Sequence, residues 1–164
     1  MSASPIDDIL ASTDPWKVVP ETFLRLITKV AAAPDACSEA EWVVFRVWSL
    51  LGEVSNGGFD QYFFNSSGNH AARTVDALRS IGDDRAIPIL WEAMALFPNE
   101  VSADRDVRWT QMDALPKASR EKFEGLDRKK SACTQSVVEK LAAYIRAHSA
   151  EITPSKGEDG ERYS

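Results

Sequence analysis

The chain has almost none of the residues on which metal or disulfide chemistry depends. Its two cysteines, Cys37 and Cys133, are too few for a disulfide framework or a zinc site, and fit a reducing compartment. With only His70 and His148, a histidine-rich metal cage is excluded as well. No apolar run approaches the roughly 18 residues of a membrane span. The start, Met1-Ser2-Ala3-Ser4-Pro5-Ile6-Asp7-Asp8, is acidic and lacks a basic-then-apolar leader, so the expected location is the cytoplasm. There is no Gly-x-Ser-x-Gly, no phosphate loop and no metal-spaced cluster, and therefore no expected cofactor. No alternating strand pattern and no repeat of 20–50 residues is present, which excludes a solenoid.

What is present suits one folded domain. The 164 residues are 44% hydrophobic and 27% charged, enough to build a core. The expected organisation is a single helical domain over 1–152 and a disordered acidic tail over 153–164. Helical signals dominate. Ser4-Pro5-Ile6-Asp7 reads as a helix start, and a second helix is expected from about Pro20 to Ala32, with Phe23, Ile27, Val30 and Ala31 inward. Ser38-Glu39-Ala40-Glu41 is a capping box. From Trp42 to Val54 nine of thirteen residues are apolar, leaving a narrow polar stripe of Arg46, Ser49 and Glu53. A helix apolar almost all round belongs in the middle of a bundle, so Trp48 and Leu51 are expected to be buried.

Asn56, Gly57 and Gly58 end that helix, because these residues tolerate the left-handed conformation of a helix terminus. A short aromatic helix over 59–65 follows, with Phe59, Phe63 and Phe64 expected in the core. Later helices are expected near 70–81, from Asp83 or Asp84 to Phe97, and over 102–114, 117–127 and 134–149. The fold class is all-α: a compact multi-helix bundle around a central apolar helix, about residues 39–54.

The stretch Gly52-Glu53-Val54-Ser55-Asn56-Gly57-Gly58-Phe59-Asp60-Gln61-Tyr62-Phe63-Phe64-Asn65-Ser66-Ser67-Gly68 resembles the signature of the DNA-mimic-protein-19-like domain family, a domain-of-unknown-function family. Leu78-Arg79-Ser80-Ile81-Gly82, Ala95-Leu96-Phe97-Pro98, Arg108-Trp109, Phe123-Glu124-Gly125-Leu126-Asp127 and Leu141-Ala142-Ala143-Tyr144-Ile145-Arg146-Ala147-His148 agree with it. The resemblance spans roughly residues 20–150. One departure is that Arg128-Lys129-Lys130 stands where the family pattern has an aromatic pair. The resemblance implies a compact helical domain. It also implies kinship with a member whose surface carboxylates stand in for DNA phosphates when it meets a DNA-binding protein.

Charge bears on that implication. The net charge is −6. Residues 35–60 carry Asp35, Glu39, Glu41, Glu53 and Asp60 against Arg46. Residues 83–113 carry Asp83, Asp84, Glu92, Glu100, Asp104, Asp106 and Asp113 against three arginines. Apart from Glu53, these carboxylates are the candidate acidic face for a basic or DNA-binding protein. A globule of this length has a radius of gyration of about 15 Å. One face therefore covers roughly 30 Å of duplex, which carries about 18 negative charges. The acidic excess falls short of full mimicry, and the expected function is a protein-interaction domain without enzymatic activity.

The alternative is a small-molecule or hydrolytic pocket at the Glu53–Asn65 motif, where Glu53, Asn56, Gln61, Tyr62, Asn65 and His70 could converge beside Gly57 and Gly58. His70 is expected at the surface. The basic run Lys117, Arg120, Lys122, Arg128, Lys129 and Lys130 is interrupted by acids and has no aromatic platform, so it reads as a solvated helix and no direct nucleic-acid binding is expected. Arg108 shares a helix face with Val101, Met112 and Leu115. An unpaired buried charge is costly, so Arg108 must either snorkel to solvent or find an acid, and the expected partner is Glu53 in a bidentate pair.

Overall fold

Local side-chain caps set the starts of three helices. The Ser38 hydroxyl accepts from the Glu41 amide at 3.1 Å, and the Glu41 carboxylate accepts from the Ser38 amide at 2.8 Å. Asp14 caps its helix through the Trp16 amide, and Asp104 through the Val107 amide. The computed structural model describes residues 4–154. Its helices are α1 (Asp7–Leu10), α2 (Pro15–Ala32), α3 (Glu39–Phe64), α4 (Ala71–Ser80), α5 (Ala86–Met94), α6 (Arg105–Asp113) and α7 (Lys117–Ala147). Short 3₁₀ turns lie at Pro34–Ala36, Ser66–His70 and Ser149–Glu151, and there is no strand among the described residues. The fold is an all-α bundle.

α3 is the hub, packing against α2, α4, α6 and α7. Val43, Val44, Val47, Leu50, Leu51 and Val54 are buried along it. Trp48 departs from expectation: it is only partly buried and meets Trp16 of α2 edge-on at 6.3 Å. Phe59 and Phe63 enter the core, but Phe64 is 49% exposed and stacks on Trp109 at 5.0 Å.

Two helices differ from their sequence expectation. α2 begins five residues early and runs through Pro20, with Val18, Val19, Thr22 and Leu26 buried rather than Ile27 and Ala31. Thr22 fits there because its hydroxyl donates to the Val18 carbonyl at 2.7 Å. The segments 117–127 and 134–149 form a single helix, α7. Its buried positions Leu126, Lys130, Cys133 and Val137 keep helical spacing without a break, and Lys130 occupies a core position.

A buried ion pair between α2 and the start of α3 holds the segment after α7. Lys29 Nζ donates to both Glu41 oxygens, at 2.8 and 2.7 Å, and to the Thr153 carbonyl at 2.8 Å. The Thr153 amide donates in turn to Glu41. Of the expected tail over 153–164, residues 155–164 lie outside the described residues.

Candidate functional site

The motif Asn56-Gly57-Gly58 ends the first helical segment of α3, as expected, and the chain restarts as a second segment across a bend. Gly58 has φ +74° and ψ −174°, a conformation that side chains with a Cβ resist. α7 clamps both sides of the bend. The Asp127 carboxylate accepts from the Phe59 amide at 2.8 Å, at the start of the second segment of α3. Lys130, one turn further on, donates to the Leu51 carbonyl and the Ser55 hydroxyl, both at 2.9 Å, near the end of the first segment. A negative group thus meets a helix N-terminus and a positive group a helix C-terminus, as the helix dipole favours. Burial raises the Asp127 pKa and lowers that of Lys130 to about 8. Lys130 is only 2% exposed, so it does not belong to a solvated basic face.

Past the bend, the second segment folds its amides back on Glu53. The Glu53 carboxylate accepts from Gln61 Nε2 at 2.6 Å, Asn65 Nδ2 at 2.9 Å and Ser67 Oγ at 3.2 Å. Asn56 Nδ2 donates to Gln61 Oε1 at 3.2 Å. Glu53, Asn56, Gln61 and Asn65 therefore do converge, and they line a wide groove of about 600 Å³ that opens to solvent. Its other wall is apolar, built from Phe23 and Ile27 of α2 with Phe45 and Trp48 of α3. Tyr62 points elsewhere: fully buried, it bonds the Thr74 hydroxyl at 3.2 Å, and burial pushes its pKa to about 12. His70 is half-buried against Trp42 and Phe45 rather than at the surface. It makes no hydrogen bond to the Glu53 network among the described residues.

Arg108 neither snorkels nor pairs with Glu53: it is fully buried. Its guanidinium donates to the carbonyls of Phe63 at 2.6 Å, Asn65 at 2.9 Å and Ser102 at 2.7 Å, and to Asn69 Oδ1 at 2.8 Å. The last carbonyls of a helix lack intrahelical donors and carry partial negative charge, so together they replace an acid. Trp109 Nε1 and Arg105 Nε donate to the Phe64 carbonyl between them. Burial lowers the Arg108 pKa. Gly68 is required beside it, because a Cβ there would lie 2.7 Å from Arg108 Nε.

The expected acidic face is not continuous. Glu41 and Asp83 are buried, which removes them from it. Glu41 closes the capping box and pairs with Lys29. Asp83 accepts from the Ala86 amide at 2.8 Å, with Lys140 Nζ 3.4 Å from its other oxygen. Glu39, Asp60 and Glu92 are exposed but neutralised by Arg46, Arg120 and Lys129, at 3.2, 3.1 and 2.9 Å. Asp35 and Asp84 stand apart, on the turn before α3 and on the link into α5. Glu100, Asp104, Asp106 and Asp113 remain, on α6 and its approach. All four are exposed and none forms an ion pair among the described residues. Asp106 and Asp113 lie two turns apart on the outer side of α6.

Sequence reasoning missed Asp127, Lys130 and Ser67. The first two carry a usable signal, an acid and a lysine three apart on a helix opposite a Gly-Gly bend. Ser67 carries none, since its role depends on the turn that returns it to Glu53.

A family model described as DMP19-like protein matches residues 35–148. No curated protein and no solved structure matches the chain.

Proposed function

Since the chain belongs to the DMP19-like protein family, we propose that it is a protein-interaction domain, not an enzyme, that offers carboxylates to a basic or DNA-binding protein as a duplex backbone would. Its proposed location is the cytoplasm, and it does not bind nucleic acid itself. One observation carries this reading: the four exposed, unpaired carboxylates Glu100, Asp104, Asp106 and Asp113 on one short helix and its approach. A helix of this length spans about 14 Å. The same length of duplex carries about 8 charges over both strands, roughly half of them facing one side. The local density therefore supports mimicry of a short stretch of backbone, where the whole-chain charge does not. Of the arginines on α6, Arg108 lies in the core and Arg105 against the Trp109 ring at 4.7 Å, while Arg120 of α7, beside Asp113, is engaged by Asp60 at 3.1 Å.

The groove at Glu53 favours a second reading, and it favours binding over hydrolysis. Three neutral donors hold its carboxylate in place, and no histidine joins the network among the described residues.

The test is affinity capture from host extract on the immobilised full chain, alongside a variant carrying Glu100→Gln, Asp106→Asn and Asp113→Asn. Asp104 is left intact because it caps α6. The expected result is a basic protein retained by the wild type, released by raised salt, and absent from the variant. Equal retention by both chains would overturn the reading.

A further inference from the structure

Glu53 is a half-buried carboxylate with no cationic partner among the described residues, and its two oxygens are used unequally. Oε2 accepts from both Gln61 and Asn65, whereas Oε1 accepts only from Ser67. A carboxylate offers about four acceptor positions, so one remains, on Oε1. That geometry suits a single charge-assisted bond from an ammonium group. It does not suit a guanidinium, whose paired donors need both oxygens free. The approach is open as well: nothing lies within 4 Å of the place where a Cβ on Gly52 would sit. Along it, the Phe45 and Trp48 side chains offer apolar surface to an aliphatic stem.

We propose that this groove receives a lysine side chain of the partner protein, its ammonium donating to Glu53 Oε1 and its butyl stem lying along Phe45 and Trp48. The charge complementarity is specific. Glu53 is the one formally charged side chain among those lining the groove. That the lysine belongs to a protein rests on the interaction-domain reading; the preference for an ammonium does not.

The experiment is an NMR titration of the full chain with Nα-acetyl-lysine methylamide. The resonances to follow are the side-chain amides of Gln61 and Asn65 and the Trp48 indole. Saturable shifts are expected with this probe, and none with its Nε-acetylated form, which lacks the charge. The arginine analogue should bind several-fold more weakly. Glu53→Gln should weaken binding at least about tenfold, the scale of one charged hydrogen bond. Gly52→Leu fills the approach without touching Glu53 and should abolish binding, which keeps the test sound if the Glu53 variant folds poorly. Equal shifts with the Nε-acetylated probe, or undiminished binding by a folded Glu53→Gln chain, would overturn the proposal. So would n-pentylamine binding more than tenfold tighter than the lysine probe, which would assign the groove to a free amine. The probe contains no partner and does not need α6. Its failure is therefore separable from loss of the partner in the α6 variant.

Discussion

Arg108 holds a charge inside the protein with no carboxylate beside it, and the two ends of the expected Glu53–Arg108 pair have separate lives. Truncating Arg108 to Ala should destabilise by about 3–5 kcal/mol in urea unfolding, because several buried carbonyls lose their donor and a cavity opens. Glu53→Gln should cost less than about 1 kcal/mol, and the double variant should be additive within about 0.5 kcal/mol. A larger coupling would restore the ion pair. Sequence reasoning placed Arg108 on the face shared with Met112 and Leu115, where it had either to snorkel or to find an acid; it does neither. That reasoning could not see that the partners are mostly main-chain carbonyls, two of them at the end of α3 and one before α6, with the Asn69 side chain, which come together only once the chain folds. Lys130 gives a pH signature at the same scale. Its folded pKa of about 8 lies below the unfolded value of 10.5, so between these values the unfolded chain binds more protons. Stability should therefore rise from pH 8 toward 10, by roughly 3 kcal/mol at most. Above pH 10 the buried Tyr62, with its pKa raised to about 12, reverses the trend, because the unfolded chain then loses its proton first. Lys130→Met should flatten the rise between pH 8 and 10 in the same unfolding measurement.

At the scale of elements, the bend in α3 organises the rest. Gly58→Ala should destabilise by at least about 1–3 kcal/mol, because its backbone conformation is nearly exclusive to glycine and the added Cβ would lie 2.3 Å from Asp127 Oδ2. Gly52→Ala, in open space on the same helix, should stabilise by about 0.5–1 kcal/mol. Opposite signs from two glycines six residues apart would separate a required bend from ordinary helix; melting curves of both variants check this. The capping box at Ser38 and the break at Asn56-Gly57-Gly58 were legible because both are local. The phase of α2 was not, since Thr22 reads as polar and is buried while Ile27 reads as apolar and lines a groove. α7 was read as two helices for a related reason: Lys130 interrupts the apolar pattern at a core position that the α3 carbonyls make tolerable. In the candidate site, Gln61 and Asn65 were expected near Glu53 because all three flank the end of the central helix, and they do meet there. The clamp from α7 was not, being a contact between distant segments.

Across the whole molecule, acidic composition turns out to be a poor guide to acidic surface. Buried pairs and surface arginines and lysines absorb much of the excess that residues 35–60 and 83–113 display in sequence, and four of the carboxylates left over lie on α6 and its approach. This distribution makes the account local: neutralising α6 should matter far more than neutralising an equal number of acids elsewhere. The most direct measurement is the affinity of the wild-type and α6-neutralised chains for the captured basic protein over a salt series. The account predicts that wild-type affinity falls steeply with salt, and that the variant binds much more weakly with a shallower slope. Equal affinities with parallel slopes would contradict it.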